Sequence, residues 1–206
     1  MAPQVSLRAP TKSDAPKVAK APFIPPSLDW LRGTWHVTHS TLPMWKTKRN
    51  VSISYTPLSP AFEGTPNALD RLDDLVTYQK LGGDKVHKIH GVDTASREDP
   101  GAWDWRGKGL LQVASSHWEV LGFETNRLED DGSILTDPAD WVVTYFASTL
   151  FTPAGIDIYF RSTARISAEV VTAVKEALAQ MDDPQVTKLA NEMFEIKHDE
   201  LLDGPI

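Results

Sequence analysis

Trp30-Leu31-Arg32-Gly33-Thr34-Trp35-His36-Val37-Thr38-His39-Ser40 is the stretch on which the fold turns. A Gly-x-Trp opens the first strong β-pattern of the chain, and what precedes it has a different character. Residues 1–26 hold Pro3, Pro10, Pro16, Pro22, Pro25 and Pro26 among lysines and alanines. Proline removes backbone donors and the segment has little apolar surface to bury, so it reads as a disordered, Pro-rich arm. Phe23, Ile24 and Leu28 are the residues able to dock its last turn.

Beyond Trp30 the pattern is β. The runs 75–81 and 85–90 flank Gly82-Gly83-Asp84 and predict a hairpin. Further strands are expected over 51–55, 102–106, 110–115, 117–125, 141–146 and 156–161. Turns are expected at Asp130-Asp131-Gly132-Ser133 and Thr152-Pro153-Ala154-Gly155. Some eight to ten short strands with no long helix between them imply an antiparallel sandwich or barrel. The tail changes period. Val170, Val174, Ala177, Leu178 and Met181 recur at helical spacing behind Ser167 as a cap. Asp183-Pro184 starts a second helix with the stripe Val186, Leu189, Ala190, Met193 and Phe194. The chain thus divides into an arm (1–26), a β-barrel domain (27–165) and C-terminal amphipathic helices with a tail (166–206). The helices are expected to pack on the barrel, with a homodimer through them as the other use of their apolar faces.

Composition narrows the function. A 206-residue chain with 41% hydrophobic and 24% charged residues has the make-up of a soluble globular domain with a real core. A net charge of −7 without a compact Lys/Arg cluster argues against nucleic acid and against a membrane partner. The absence of cysteine removes disulfides, thiol catalysis and Cys-ligated zinc. With no apolar signal core at the N-terminus either, a cytoplasmic location is expected.

Gly33-Thr34-Trp35 on the first strand, a meander of hairpins, and a late arginine (Arg161 or Arg165) before a helix together resemble the lipocalin-like (calycin) barrels. The resemblance implies a mainly β, antiparallel up-and-down barrel of about 8–10 strands with a C-terminal helical tail. It also implies that Trp35 closes one end and stacks against the late arginine, as an indole face attracts a guanidinium. The chain departs from the secreted members in having neither cysteines nor a signal peptide.

Side chains alternate across a strand, so parity nominates the lining of such a barrel. Ile53, Trp105, Trp118, Val120, Trp141, Val143 and Ile158 form the expected ligand-binding surface, with Tyr55 and Tyr145 supplying hydroxyls. Gly107, Gly109 and Gly122 mark bends that can shift this parity. His39 shares parity with Trp35 and is the histidine expected to face inward, as a general base or a donor to a carbonyl. With Tyr55 and Tyr145 it completes the candidate catalytic set. No histidine spacing suggests a metal, and no cofactor fingerprint is present. The acidic runs Asp70-Arg71-Leu72-Asp73-Asp74 and Glu129-Asp130-Asp131 read as solvated loops.

Three functions are consistent with these residues. Analogy with intracellular barrels of this fold implies a cofactor-independent cyclase, isomerase or pericyclase for a hydrophobic polyketide- or terpenoid-like substrate. A noncatalytic carrier or sensor of a hydrophobic molecule explains the aromatic lining equally, haem being a variant of it. The third is an interaction module that uses the arm and the tail.

Overall fold

The computed structural model describes residues 5–13, 23–64, 68–124, 140–150 and 152–199. The turn expected at residues 130–133 lies outside them. Eight strands run up and down in chain order: β1 (Gly33–Ser40), β2 (Lys48–Ala61), β3 (Leu69–Lys80), β4 (Val86–Ala95), β5 (Ala102–Gly107), β6 (Ser115–Phe123), β7 (Trp141–Phe146) and β8 (Gly155–Phe160). Each pairs antiparallel with the next, and β1 pairs with both β2 and β8, which closes the sheet into a barrel. A two-residue strand, β9 (Phe194–Glu195), adds to β1. Of residues 110–115, expected as a strand, only Ser115 is one, as the first residue of β6; the rest belong to a 3-10 turn (Gly109–Leu111) and loop between β5 and β6. Gly109 takes a φ of 60°, which breaks the extended run.

The Gly-x-Trp stretch shows why the barrel closes where it does. A short helix, α1 (Leu28–Leu31), is capped by Ser27 and sets Trp30 against Trp35, ring centroids 4.8 Å apart. The Arg161 guanidinium lies 3.6 Å from the Trp35 ring centroid and donates to the carbonyls of Arg32 (2.9 Å) and Trp30. The late arginine of the expected stack is therefore Arg161. Gly33 has a φ of 99°, and a Cβ there would sit 3.2 Å from Arg161 Nη1. A side chain at that position would be strained and would crowd the guanidinium. This is the closed end.

Two helices cover part of the outer wall. α2 (Ala168–Ala179) starts at Ser167, whose side chain accepts from Val170 N; α3 (Pro184–Glu192) starts at Asp183, which accepts from Gln185 N and Val186 N. Val170, Val174, Leu178, Val186 and Leu189 pack with the outward side chains of β7 and β8, among them Trp141, Val143, Ile156, Ile158 and Phe160. Residues 5–13 differ from the free arm expected of them and lie along the outside of β6. Arg8 N bonds to Leu121 O (2.8 Å) and Arg8 Nε to Val120 O (2.7 Å). Thr11 N, Thr11 Oγ1 and Lys12 N all donate to the buried Glu119 carboxylate, at 2.8–3.1 Å. A few well-placed donors satisfied by one carboxylate anchor what composition alone would leave loose.

Candidate functional site

Cross-strand register fixes which side chains face the barrel axis, because paired residues share a face. Ile53 pairs with Val76, Tyr55 with Asp74, and Leu72 with Asp93; Asp93 in turn pairs with Trp105, and Trp103 with Trp118. Val120 pairs with Thr144, Thr144 with Asp157, and Val37 and Val142 with Tyr159. The interior is thus Trp35, Ile53, Tyr55, Leu72, Trp103, Trp118, Val120 and Tyr159 with a set of polar residues among them.

Five of the expected site residues, Ile53, Tyr55, Trp105, Trp118 and Val120, are brought together here. The other five are not. Trp141, Val143, Tyr145 and Ile158 point outward beneath the C-terminal helices, and the Tyr145 hydroxyl donates to Gln185 Oε1 of α3 at 2.9 Å. Both faces of β7 and β8 are covered, so hydrophobicity could not tell inside from outside. The more polar alternates, Thr144, Asp157 and Tyr159, are the inward ones. His39 is displaced by a bulge: register shifts between Val37 and His39, so Ser40 resumes the inward face and donates to Asp157 Oδ1 at 2.5 Å. His39 lies outside, beside Glu195 and Lys175, and burial lowers its pKa.

The half of the interior nearer α1 is packed by its own rings. Trp103, Trp118 and Tyr55 form a series, with centroids 5.8 and 5.6 Å apart, and each is at most 5% exposed. The opposite half is looser, and the inward residues Val76, Tyr78, Ile89 and Trp105 are only partly buried. Over that end folds the β1–β2 loop, whose 3-10 turn (Pro43–Trp45) carries Trp45 inward against Tyr78, centroids 5.7 Å apart. A separate cavity of about 330 Å³ lies at the closed end among Pro25, Leu28, Leu31, Ala95 and Trp103; neither Asp74 nor Asp93 lines it.

Between these halves lie the buried carboxyls. Asp74 and Asp93 occupy diagonal positions on β3 and β4, 7% and 0% exposed. Asp93 Oδ1 accepts from Trp118 Nε1 at 2.8 Å. Asp74 Oδ1 and Asp93 Oδ2 have no hydrogen-bond partner among the described residues. Burial first, and then each pair's neighbouring negative charge (Asp73 for Asp74, Asp74 for Asp93), pushes both carboxyls above the usual carboxylate range. The indole N–H groups of Trp105 and Trp118 offset part of this. Burial likewise pushes Asp157 up to about 7 despite Ser40 and Trp45, whose indole N–H faces it outside hydrogen-bond geometry. The Tyr159 hydroxyl and Thr144 Oγ1 are neighbours, yet neither reaches hydrogen-bond geometry with a described residue. Burial raises the Tyr55 and Tyr159 phenols well above their ordinary value, so both stay protonated donors. Among the described residues no group of three His, Cys, Asp or Glu stands ready to hold a metal ion.

Sequence reasoning missed Asp74, Asp93 and Asp157. The run 70–74 is strand rather than solvated loop: Asp73 faces out to His90 and Lys108, whereas Leu72 and Asp74 face in. The alternation Leu72-Asp74-Val76 was the available signal. It was hidden by the habit of reading adjacent acids as exposed. Space for the pair depends on Gly91, where a Cβ would lie 2.1 Å from Trp105 Nε1.

An eight-stranded closed antiparallel barrel, entered through a short helix and Gly-x-Trp and locked by a late arginine, is a lipocalin-like (calycin) fold. Insecticyanin from the tobacco hornworm Manduca sexta superposes with a TM-score of 0.55 at 14% identity, over 88% of this chain and 87% of that one. Among curated proteins, the chain is 26% identical over 188 residues to "Botcinic acid biosynthesis cluster B protein 12" of Botryotinia fuckeliana (strain B05.10), covering 88% of this chain and 79% of the relative. No family model matches the chain.

Proposed function

We propose that the barrel is a cofactor-independent cyclase or isomerase for a hydrophobic polyketide- or terpenoid-like substrate. The observation that carries the reading is the Asp74–Asp93 pair, two inward carboxyls each with an unpartnered oxygen in an indole-walled interior. Burying an unpaired carboxyl costs folding free energy, on the order of 1–3 kcal/mol or more, and a purely structural core has no use for it. The similarity to a protein of a biosynthetic cluster supports the same direction.

The guest enters at the looser end and lies over Trp105, Tyr78 and Ile89. A pair with raised pKa values shares protons: one carboxyl is an acid at neutral pH while its neighbour can accept. The acid gives its proton to a carbonyl oxygen or an unsaturated carbon of the guest. The partner carboxylate takes a proton from another position, so the product is an isomer of the substrate and the site ends with the same number of protons. Exclusion of water strengthens each of these contacts, and confinement of a flexible chain removes several kcal/mol of its barrier.

The test uses purified protein incubated with an extract of polyketide and terpenoid intermediates, followed by native mass spectrometry and chromatography. Wild type is expected to retain a compound and return an isomer of equal mass. Asp74→Asn and Asp93→Asn should retain it but turn it over at least 100-fold more slowly, while Tyr145→Phe, which lies outside the barrel, keeps turnover. If wild type retains a compound and always returns it unchanged, the protein is a carrier of a hydrophobic molecule instead.

A further inference from the structure

The up-and-down topology sends four connections to the end opposite α1: residues 41–47, 81–85, 108–114 and 147–154. Every one of them, or the strand start it leads into, carries a large exposed apolar side chain. Leu110 is 101% exposed, Leu150 94% and Val113 93%; Val86, Met44 and Leu81 are exposed as well. Ile24 and Phe62 are exposed toward the α1 end, but most of the exposed large apolar side chains gather on this one, and such a rim marks a contact surface.

The charge on that end has its own sign. Lys46, Lys48, Lys80, Lys85 and Lys88 surround the rim, and none of them pairs with an acid among the described residues. Among the described residues the ion pairs toward this end join Arg49 to Asp84 and Asp199, and Lys108 and His90 to Asp73. Toward the α1 end the exposed acids Asp29, Glu63, Asp70 and Glu98 stand among exposed arginines, Arg32, Arg97 and Arg165. Lysines far apart in sequence, which form no cluster on paper, are collected by the strand order.

We propose that this end docks on an anionic lipid bilayer, with the apolar tips set among the acyl chains and the lysines among the headgroups. Lysines around protruding apolar residues match both layers of such a surface, which a neutral membrane or an apolar protein patch would not. The contact is peripheral: among the described residues no helix is long and apolar enough to cross a membrane. It departs from the expectation drawn from mean charge, and it places the looser end of the barrel against the phase where a hydrophobic molecule dissolves. The docking stands whether or not the barrel converts its guest.

Flotation of the full chain with vesicles of phosphatidylcholine alone, or with 30 mol% phosphatidylserine (a working composition of roughly physiological charge), tests it without any guest. Binding is expected to the charged vesicles only and to weaken as salt rises, since each lysine near such a surface contributes about fivefold in affinity. Lys85→Gln/Lys88→Gln and, separately, Leu110→Ser/Val113→Ser should each lose at least tenfold; all four sites are exposed, so the fold is expected to survive, as circular dichroism will show. Glu63→Gln/Glu98→Gln at the opposite end should change nothing. No flotation with charged vesicles overturns the proposal. So does equal binding by the rim variants, or a rim that self-associates in sizing experiments while ignoring vesicles.

Discussion

Gly91 illustrates how much of this protein is decided by a missing side chain. The Trp105 indole occupies the space a Cβ would need, 2.1 Å from Nε1, and from there its N–H faces Asp74. Gly91→Ala must push the ring aside, which removes the offset on Asp74 and opens the packing around it. The expected outcome is a loss of about 1–3 kcal/mol in chemical denaturation, as for other overpacked cores, together with a changed Trp fluorescence spectrum in the folded protein. An unchanged spectrum at unchanged stability would show that Trp105 is not held there. At the same scale, the Gly-x-Trp and the late arginine were legible in sequence because their chemistry is local and specific. The interior aspartates were not, because an acid's burial depends on strand partners distant in sequence, such as Leu72 for Asp93.

Whole elements were read more reliably than their faces. The strands 141–146 and 156–161 and both helices stand close to where periodicity put them, yet inside and outside were exchanged on β7 and β8. Covering by α2 and α3 makes their outer faces apolar, and the inner faces carry the more polar residues. Residues 5–13 are another case. Their order rests on Glu119, where burial raises the pKa but the His117 imidazole 3.6 Å away, hydrogen bonds from Thr11 and the charge of Arg8 outweigh it, taking it down to about 2 from 4.5. A carboxylate with a lowered folded pKa stabilises above its unfolded value and loses that contribution as pH falls. The hold on the segment is therefore expected to weaken between about pH 4.5 and 2. Glu119→Gln should cost about 2–3 kcal/mol at neutral pH and expose Arg8 and Lys12 to trypsin, with cleavage followed by mass spectrometry. Resistance equal to wild type would mean that Leu7 and the Arg8 backbone contact hold the segment unaided.

At the scale of the whole molecule, the seam between first and last barrel strands has a consequence for how the chain comes to be folded. Thr38 bonds to Ile158 and Arg161 to the Trp30 carbonyl, across 120 and 131 residues of sequence. Such distant pairings are slow to find and come late. A ribosome that has made six or seven strands has built a curled ribbon with two bare edges, and nothing short of Phe160 and Arg161 can join them. Chains terminated at residue 150 should be degraded by dilute protease as fast as denatured protein, whereas those ending at residue 199 resist. Newly made chain is thus committed to an interval of open edges, which is the hazard of an architecture sealed only when its eighth strand meets its first.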